Sequence, residues 1–267
     1  MFKSSGDSTV NWTLEIVPAH ADRIDVLQGI VGEIYITMIP GTDVQDSLIA
    51  LAQVLEKGFT PVPHITARNF KSESELFSYF AALRQLKIKK VLVLAGGHGQ
   101  PEGPYTNSMD ILTSEAFAQA DIESVAVAGH PEGNPDDPDT WNSLLLKFNH
   151  LKELGIDMEI VTQWSFSPEN INKYLQTLQD RGIDAPVRVG IAGPASLKTL
   201  LKFAKVCGVN AAATVVKKQG FSMGRLLISN EPEKFIAEVR GTQHFHLYPF
   251  GGLEKCSQWL KAQIVSA

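Results

Sequence analysis

The chain has 267 residues, of which 44% are hydrophobic and 20% are charged, and this suits one large α/β domain of barrel size. Its 24 basic and 29 acidic residues give a formal net charge of −5, which argues against nucleic acid as the main partner. No apolar run approaches the roughly 20 residues that a membrane-spanning helix needs, so we expect no membrane partner.

The first residues and the cysteine content indicate the compartment. Residues 1–7 lack the apolar stretch of a secretory signal. Cys207 and Cys256 are the two cysteines of the sequence, and they show no metal-ligand spacing. We therefore predict a reduced, cytoplasmic protein without a metal site. The sequence gives no indication of the oligomeric state.

Short apolar runs alternate with amphipathic segments of helical period along the whole chain. The apolar runs predict strands at 12–17, 33–38, 60–65, 90–95, 122–128, 158–162, 186–191 and 243–248. The amphipathic segments predict helices at 43–57, 73–86, 107–119, 139–154, 168–181 and 196–206. The longer connection at 207–242 predicts extra helices, and a last helix is expected from 253 to 264.

Eight strands with intervening helices favour a closed (β/α)8 TIM barrel over an open doubly wound sheet. No glycine-rich dinucleotide fingerprint follows the first predicted strand, and the glycines at 96–99 lack the required spacing. Polar residues recur at the strand ends. We predict an α/β fold in which residues 1–267 form a single (β/α)8 domain.

Polar and small residues follow the predicted strands, where the mouth of a parallel barrel would collect them. In chain order they are Glu15, Thr37, His64, Gly96, Gly97, His130, Gln163, the segment 190–195, and the histidines at 244 and 246. Titratable and amide groups with small neighbours suit a flat, partly aromatic ligand that is held by hydrogen bonds. The mixture does not suggest a phosphate site.

Each of these residues also has a purely structural interpretation. Glu15 could pair with a buried cation, and Gln163 could satisfy backbone groups at a strand end. His64 could be a core histidine. We expect His244 and His246 to alternate across their strand, with one pointing into the barrel and the other out.

An ordered set of short motifs covers nearly the whole chain. The motifs are Leu14 to Pro18, Pro63 to Thr66, Pro131 to Pro135, Leu151 to Gly155, Val161 to Gln163, Gly182 to Val187 with Gly190 and Ile191, and His244 to Tyr248. In their order and spacing the sequence resembles the methylenetetrahydrofolate reductase family.

The resemblance implies an activity and the residues that perform it. The family reduces 5,10-methylenetetrahydrofolate to 5-methyltetrahydrofolate by hydride transfer from NADH or NADPH, usually through FAD. Glu15 resembles the acid that protonates a folate nitrogen and opens the five-membered ring, and Gln163 resembles the amide that binds the pterin. Thr37 and His64 match positions beside the flavin, and Lys152 matches a residue at its phosphate end, although Lys152 could also belong to a solvated helix face.

The sequence departs from the family pattern around the expected flavin. The usual Arg-Gly-Asp after the fourth strand is Ala95-Gly96-Gly97 here, so a carboxylate beside flavin and substrate is missing. His130 replaces a tyrosine, and Leu197 replaces a phenylalanine that stacks on the substrate or the nicotinamide. These changes favour the flavin-free subgroup of the family, which passes hydride directly from nicotinamide to folate.

Two other classes stay open at this stage. The seven histidines with Glu15 and Asp110 could build the site of a metal-dependent barrel hydrolase. Relatives of the family also occur with methyl-transfer machinery, so a non-catalytic folate-binding or methyl-transfer partner protein is a further alternative.

Overall fold

A computed structural model describes residues 10–97, 100–206 and 232–266 and shows a closed barrel of eight parallel strands. The predicted (β/α)8 fold is therefore confirmed. The strands pair in sequence order, and the last closes onto the first. They are β1 Asn11–Ile16, β2 Glu33–Ile36, β3 Thr60–Thr66, β4 Lys90–Leu94, β5 Ser124–Gly129, β6 Asp157–Thr162, β7 Val187–Ala192 and β8 His244–Tyr248. Every strand boundary lies within two residues of its predicted position.

Helices surround the barrel and return the chain from the carboxyl end of one strand to the amino end of the next. They are α1 Val44–Glu56, α2 Glu73–Gln85, α3 Ser108–Leu112, α4 Glu115–Ala118, α5 Thr140–Glu153, α6 Pro168–Asp180, α7 Leu197–Val206, α8 Pro232–Glu238 and α9 Leu253–Ser266. Polar side chains cap several amino termini. Ser167, for example, accepts a hydrogen bond from the Asn170 N–H, and Pro168 follows it in the first turn of α6.

One helical prediction was wrong, and one helical segment was missed. The predicted helix 107–119 is divided into α3 and α4, because the Ser114 hydroxyl ends one helix by donating to Ile111 O and caps the next by accepting from Phe117 N–H. A 3₁₀ segment, Pro18–Leu27, follows β1 and was not predicted at all. Of the predicted extra helices at 207–242, α8 is observed, while residues 207–231 lie outside the described residues.

Strand alternation divides the apolar residues into two cores. The larger one lies between the strands and the helices and includes Leu14, Ile16, Ile65 and Val127. A small one fills the interior of the barrel and consists of Tyr35, Val62, Leu92, Ala126 and Val161. Because the interior is packed at this level, a ligand can reach it only from an end.

An ion-pair network closes the amino end of the barrel. Glu159 lies 2.7 Å from both Lys90 Nζ and Arg188 Nε, and Lys90 also lies 2.9 Å from Glu33. The Tyr35 hydroxyl donates to Glu159 from the interior at 3.1 Å. Because these charges neutralise one another, this end of the barrel is a structural plug, and the opposite end remains as the mouth.

None of the helices in the described part of the chain is both long enough and apolar enough to cross a membrane.

Candidate active site at the carboxyl end of the barrel

Glu15 lies near the carboxyl end of β1 with its side chain inside the barrel. Its Oε2 is 3.6 Å from His246 Nε2 and 4.0 Å from His64 Nε2. Its neighbours in sequence, Leu14 and Ile16, point away from it into the outer core. The Glu15 side chain is 20% exposed, so the carboxyl is reachable from the mouth. Two imidazoles therefore flank a single accessible carboxyl group.

His246 is completely buried, and its orientation is fixed from behind. Its Nδ1 lies 2.9 Å from the hydroxyl of Thr13, which stands two residues before Glu15 on the same face of β1. The Tyr35 ring meets the imidazole edge-on at a centroid distance of 4.7 Å. One ring nitrogen of His246 thus contacts Thr13, while the other faces Glu15.

The expectation that His244 and His246 point in opposite directions was wrong. Residues two apart in a strand point to the same side. His244 is opposite Asn11, and His246 is opposite Thr13, in one continuous register. His244 therefore faces the charged amino end, where burial, together with Arg188, lowers its pKa although Glu159 opposes this.

His64 lies on β3 and is buried beside Glu15. Burial lowers its pKa to about 4, even though Glu15 acts in the opposite direction, so the ring is neutral near pH 7. Its Nε2 has no hydrogen-bond partner among the described residues. A buried nitrogen in this state is available to a ligand that enters the mouth.

Thr37 directly follows β2 and lies beside the end of β1, since its N–H donates to Ile16 O at 2.8 Å. Its hydroxyl is buried and, like His64 Nε2, has no partner in the described part of the structure. Thr37 and His64 thus place two unsatisfied polar atoms on neighbouring strands of the same sector.

The loop after β4 brings bare backbone to the same sector. Gly96 has a φ of +110°, and a Cβ at this position would lie 2.7 Å from Thr66 Cγ2. Gly97 is exposed and would tolerate a Cβ, whose nearest neighbour would be Pro40 Cγ at 3.7 Å. Glycine is therefore required at 96 by the backbone, whereas at 97 its effect is to leave out a side chain.

His130 and Gln163 directly follow the adjacent strands β5 and β6 at the mouth. The Gln163 N–H donates to Gly129 O at 2.8 Å, and its side-chain Oε1 accepts from the Trp164 N–H at 3.1 Å. His130 is half-buried, and burial, with Lys147 nearby, lowers its pKa to about 4. Glu15 and Gln163 therefore belong to the same end of the barrel.

Leu197 and Lys152 occupy different places relative to this group. Leu197 is the first residue of α7 and lies at the mouth end, half-buried. Lys152 lies in the last turn of α5, exposed, with its ammonium 5.5 Å from the centre of the Phe148 ring. Since α5 runs back toward the start of β6, the structure does not bring Lys152 to Glu15.

Several residues of the mouth were not identified from the sequence. Thr13 contacts His246 behind Glu15, and Arg68 contacts the loop at Gly97. An aromatic cluster also covers the β6–β8 side, where Phe250 stacks on Phe203 at 4.4 Å. The cluster consists of Trp164, Phe166, Phe203, Tyr248 and Phe250. Only the pairing of strands in the closed barrel brings these residues together.

The described residues contain no group of three or more His, Cys, Asp or Glu side chains arranged to hold a metal ion.

Comparisons with known proteins agree with the geometry. The profile of the methylenetetrahydrofolate reductase family matches residues 15–220. The Arabidopsis thaliana protein named methylenetetrahydrofolate reductase (NADH) 1 is 27% identical over 159 residues. This alignment covers 54% of the present chain and 26% of the plant protein, so the chain matches only about a quarter of that relative.

Proposed function

The chain belongs to the methylenetetrahydrofolate reductase family, and on this basis we propose that it reduces 5,10-methylenetetrahydrofolate to 5-methyltetrahydrofolate with NADH or NADPH. The single observation that carries the proposal is the Glu15 carboxyl at the mouth, with His64 and His246 on either side. An acid held in this way is suited to deliver a proton to a bound ring nitrogen.

Glu15 acts first in the proposed reaction. It donates its proton to a folate nitrogen, the carbon–nitrogen bond of the five-membered ring breaks, and an iminium remains at the methylene carbon. Hydride then adds to that carbon and gives the methyl group. The contact between His246 and Thr13 keeps the imidazole directed at Glu15. The partly exposed carboxyl takes up a new proton from solvent at the mouth after each turnover.

The proposed pose lays the pterin across the mouth. The Gln163 amide binds its edge, because one carboxamide offers both a donor and an acceptor. The bare backbone at Gly96 and Gly97 lets a flat ring approach closely. Leu197 and His130 complete the walls of the binding site for folate. Together these residues support a planar ligand with a polar edge.

The residues around Thr37 and His64 fit a flat ring with hydrogen-bonding atoms, since each holds a buried polar atom without a partner in the described structure. They fit FAD less well than the usual family pattern does, because Gly97 provides no carboxylate beside the expected flavin ring. We therefore propose that the nicotinamide, which supplies hydride when bound, occupies this sector next to Thr37, His64 and Gly96 without FAD.

The test is an anaerobic assay of NADH and NADPH oxidation with 5,10-methylenetetrahydrofolate, run with and without added FAD and with identification of the folate product. We expect oxidation that depends on the folate, yields 5-methyltetrahydrofolate and does not respond to FAD. A stoichiometric flavin absorbance in the purified protein would rule out direct hydride transfer from the nicotinamide to the folate. Folate binding without any oxidation would instead select the alternative of a non-catalytic folate-binding protein.

A further inference from the structure

Arg68 lies in the 3₁₀ turn Ala67–Asn69 that follows β3, four residues after His64. Its backbone N–H and carbonyl both form hydrogen bonds with the loop after β4. The N–H donates to Ala95 O at 3.0 Å, and the carbonyl accepts from the Glu102 N–H at 2.9 Å. The base of the side chain is therefore fixed beside the two glycines of the mouth.

The guanidinium is held by neutral groups. Its Nη1 donates to Gly97 O at 3.0 Å, and its Nε donates to Thr106 O at 2.9 Å. These contacts use two of the five N–H donors of an arginine. The side chain is half-buried, so the remaining donors stay in reach of solvent and of a ligand.

No carboxylate of the described residues pairs with Arg68. Asp110, in the first turn of α3, accepts instead from the Thr106 and Asn107 N–H groups and from their side chains. Glu102 lies 3.9 Å from Lys71. Residues 95–97 are Ala-Gly-Gly and contribute no charge. Arg68 therefore carries an uncompensated positive charge at the carboxyl end of the barrel.

The turn that carries Arg68 also forms hydrogen bonds with the loop after β2. Thr66 donates through its hydroxyl to Met38 O at 2.9 Å, and Asn69 donates through its amide to Ile39 O at 2.8 Å. The guanidinium is thus anchored between the loops after β2 and β4, and little conformational freedom is left to lose when a ligand binds.

We propose that Arg68 binds the anionic group of a ligand at the mouth, either a phosphate of the nicotinamide dinucleotide or a carboxylate of the folate. The inference rests on the proposed function, because both ligands of that reaction carry such a group away from the reacting ring. A guanidinium with free N–H groups in fixed positions suits either oxyanion. The sequence did not indicate a phosphate site, because Arg68 stands beyond the strand end, between Ala67 and Asn69.

The test measures dissociation constants of the full chain for NADH and for 5-methyltetrahydrofolate by calorimetry. Arg68→Gln removes the charge, and Arg84→Gln is the matched control, since Arg84 is exposed in the last turn of α2. We expect Arg68→Gln to weaken binding of at least one ligand by about tenfold or more, as loss of a charge-assisted hydrogen bond implies. The affinity of the wild-type chain for that ligand should also fall with added salt.

Each outcome decides a different point. Weaker binding of NADH alone identifies the phosphate as the bound anion, and weaker binding of 5-methyltetrahydrofolate alone identifies the carboxylate. Equal affinities of Arg68→Gln and Arg84→Gln for both ligands overturn the inference. If Arg68→Gln does not fold, Arg68→Lys replaces it. We then expect a loss of at least about threefold in ligand affinity, because a lysine ammonium lacks the planar pair of N–H donors with which a guanidinium binds an oxyanion. Unchanged affinity in that variant likewise overturns the inference.

The two proposals fail in different ways. A wild-type chain that binds both ligands without turnover removes the proposed reaction and leaves the role of Arg68 intact. Turnover by the wild type with unchanged binding in Arg68→Gln removes the role of Arg68 alone. A wild-type chain that binds neither ligand overturns both.

Discussion

Some side chains at the mouth could be assigned to the site from the sequence alone, but their contacts with one another could not. Glu15 and Gln163 were identified because a polar group at the end of an apolar strand is unusual. The contacts of Glu15 with His64 and His246 were not predicted, although all three residues were expected at the mouth, since Leu14 and Ile16 surround Glu15 in sequence but the two histidines surround it in space. Contacts between distant strands follow from the closed barrel and not from neighbouring residues.

Gln163→Ala tests the proposed contact with the pterin. The substitution removes one side-chain amide at the mouth, and a hydrogen bond of this kind contributes about 1 kcal/mol. We expect a loss of roughly three- to tenfold in affinity for 5-methyltetrahydrofolate, measured by calorimetry. Gln85→Ala on the exposed surface of α2 is the control. Equal affinities of the two variants would rule out the contact.

The buried His64 predicts how stability depends on pH. Because burial lowers its pKa from 6.5 to about 4, the unfolded chain binds a proton between these values that the folded chain does not bind. The free energy of unfolding should therefore fall as the pH is lowered from 6.5 to about 4, by up to about 3 kcal/mol for this residue.

Urea unfolding of the wild type and of His64→Gln over this pH range measures the effect of His64. The variant should lose less stability on acidification, because it no longer takes up this proton. His20→Gln, in the exposed part of the segment Pro18–Leu27, should keep the wild-type dependence. A His64→Gln variant with the full wild-type fall would show that other groups cause it.

Secondary-structure elements could be predicted where the apolar residues of a segment follow a single strand or helix period. The strands were found within two residues because each is a short apolar run between polar turns. The segment Pro18–Leu27 was missed because its buried residues, Ala21, Ile24 and Leu27, recur every three residues. This spacing is that of a 3₁₀ helix and not of an α-helix, and it produces no amphipathic α-helical pattern.

The loop after β4 provides a matched pair of substitutions. Gly96→Ala places a Cβ at positive φ and 2.7 Å from Thr66 Cγ2, so we expect a loss of about 1–3 kcal/mol in the free energy of unfolding. Gly97→Ala meets only Pro40 Cγ at 3.7 Å and should change stability by no more than about 0.5 kcal/mol. Denaturant unfolding of both variants measures the difference, and equal stabilities would contradict the requirement for glycine at 96.

The two ends of the barrel have different roles, since one stabilises the fold and the other carries the proposed chemistry. The network of Glu33, Lys90, Glu159 and Arg188 closes the amino end, and the proposed active site opens at the carboxyl end. The sequence did not reveal the network, because its members come from four strands that are distant in the chain. Their pairing exists only once the barrel has closed.

Glu159→Gln tests this separation. The neighbouring Arg188 and Lys90 outweigh burial and lower the pKa of Glu159, so the carboxylate is charged at neutral pH. Its loss leaves the buried Arg188 and the half-buried Lys90 with Glu33 as their one remaining carboxylate in this network, and we expect a cost of about 2–4 kcal/mol in the free energy of unfolding. Glu153→Gln, at the exposed end of α5, is the control. Affinity for folate should be unchanged, and a parallel loss of affinity would contradict the separation.

The most direct test of the account is the turnover of Glu15→Gln with NADH and 5,10-methylenetetrahydrofolate. The substitution keeps the size of the side chain and removes the proton that opens the folate ring. We predict that the rate falls by roughly 10²- to 10⁴-fold while the dissociation constant for 5-methyltetrahydrofolate stays at the wild-type value. Turnover at the wild-type rate would contradict the central claim that the carboxyl between His64 and His246 is the acid of the reaction.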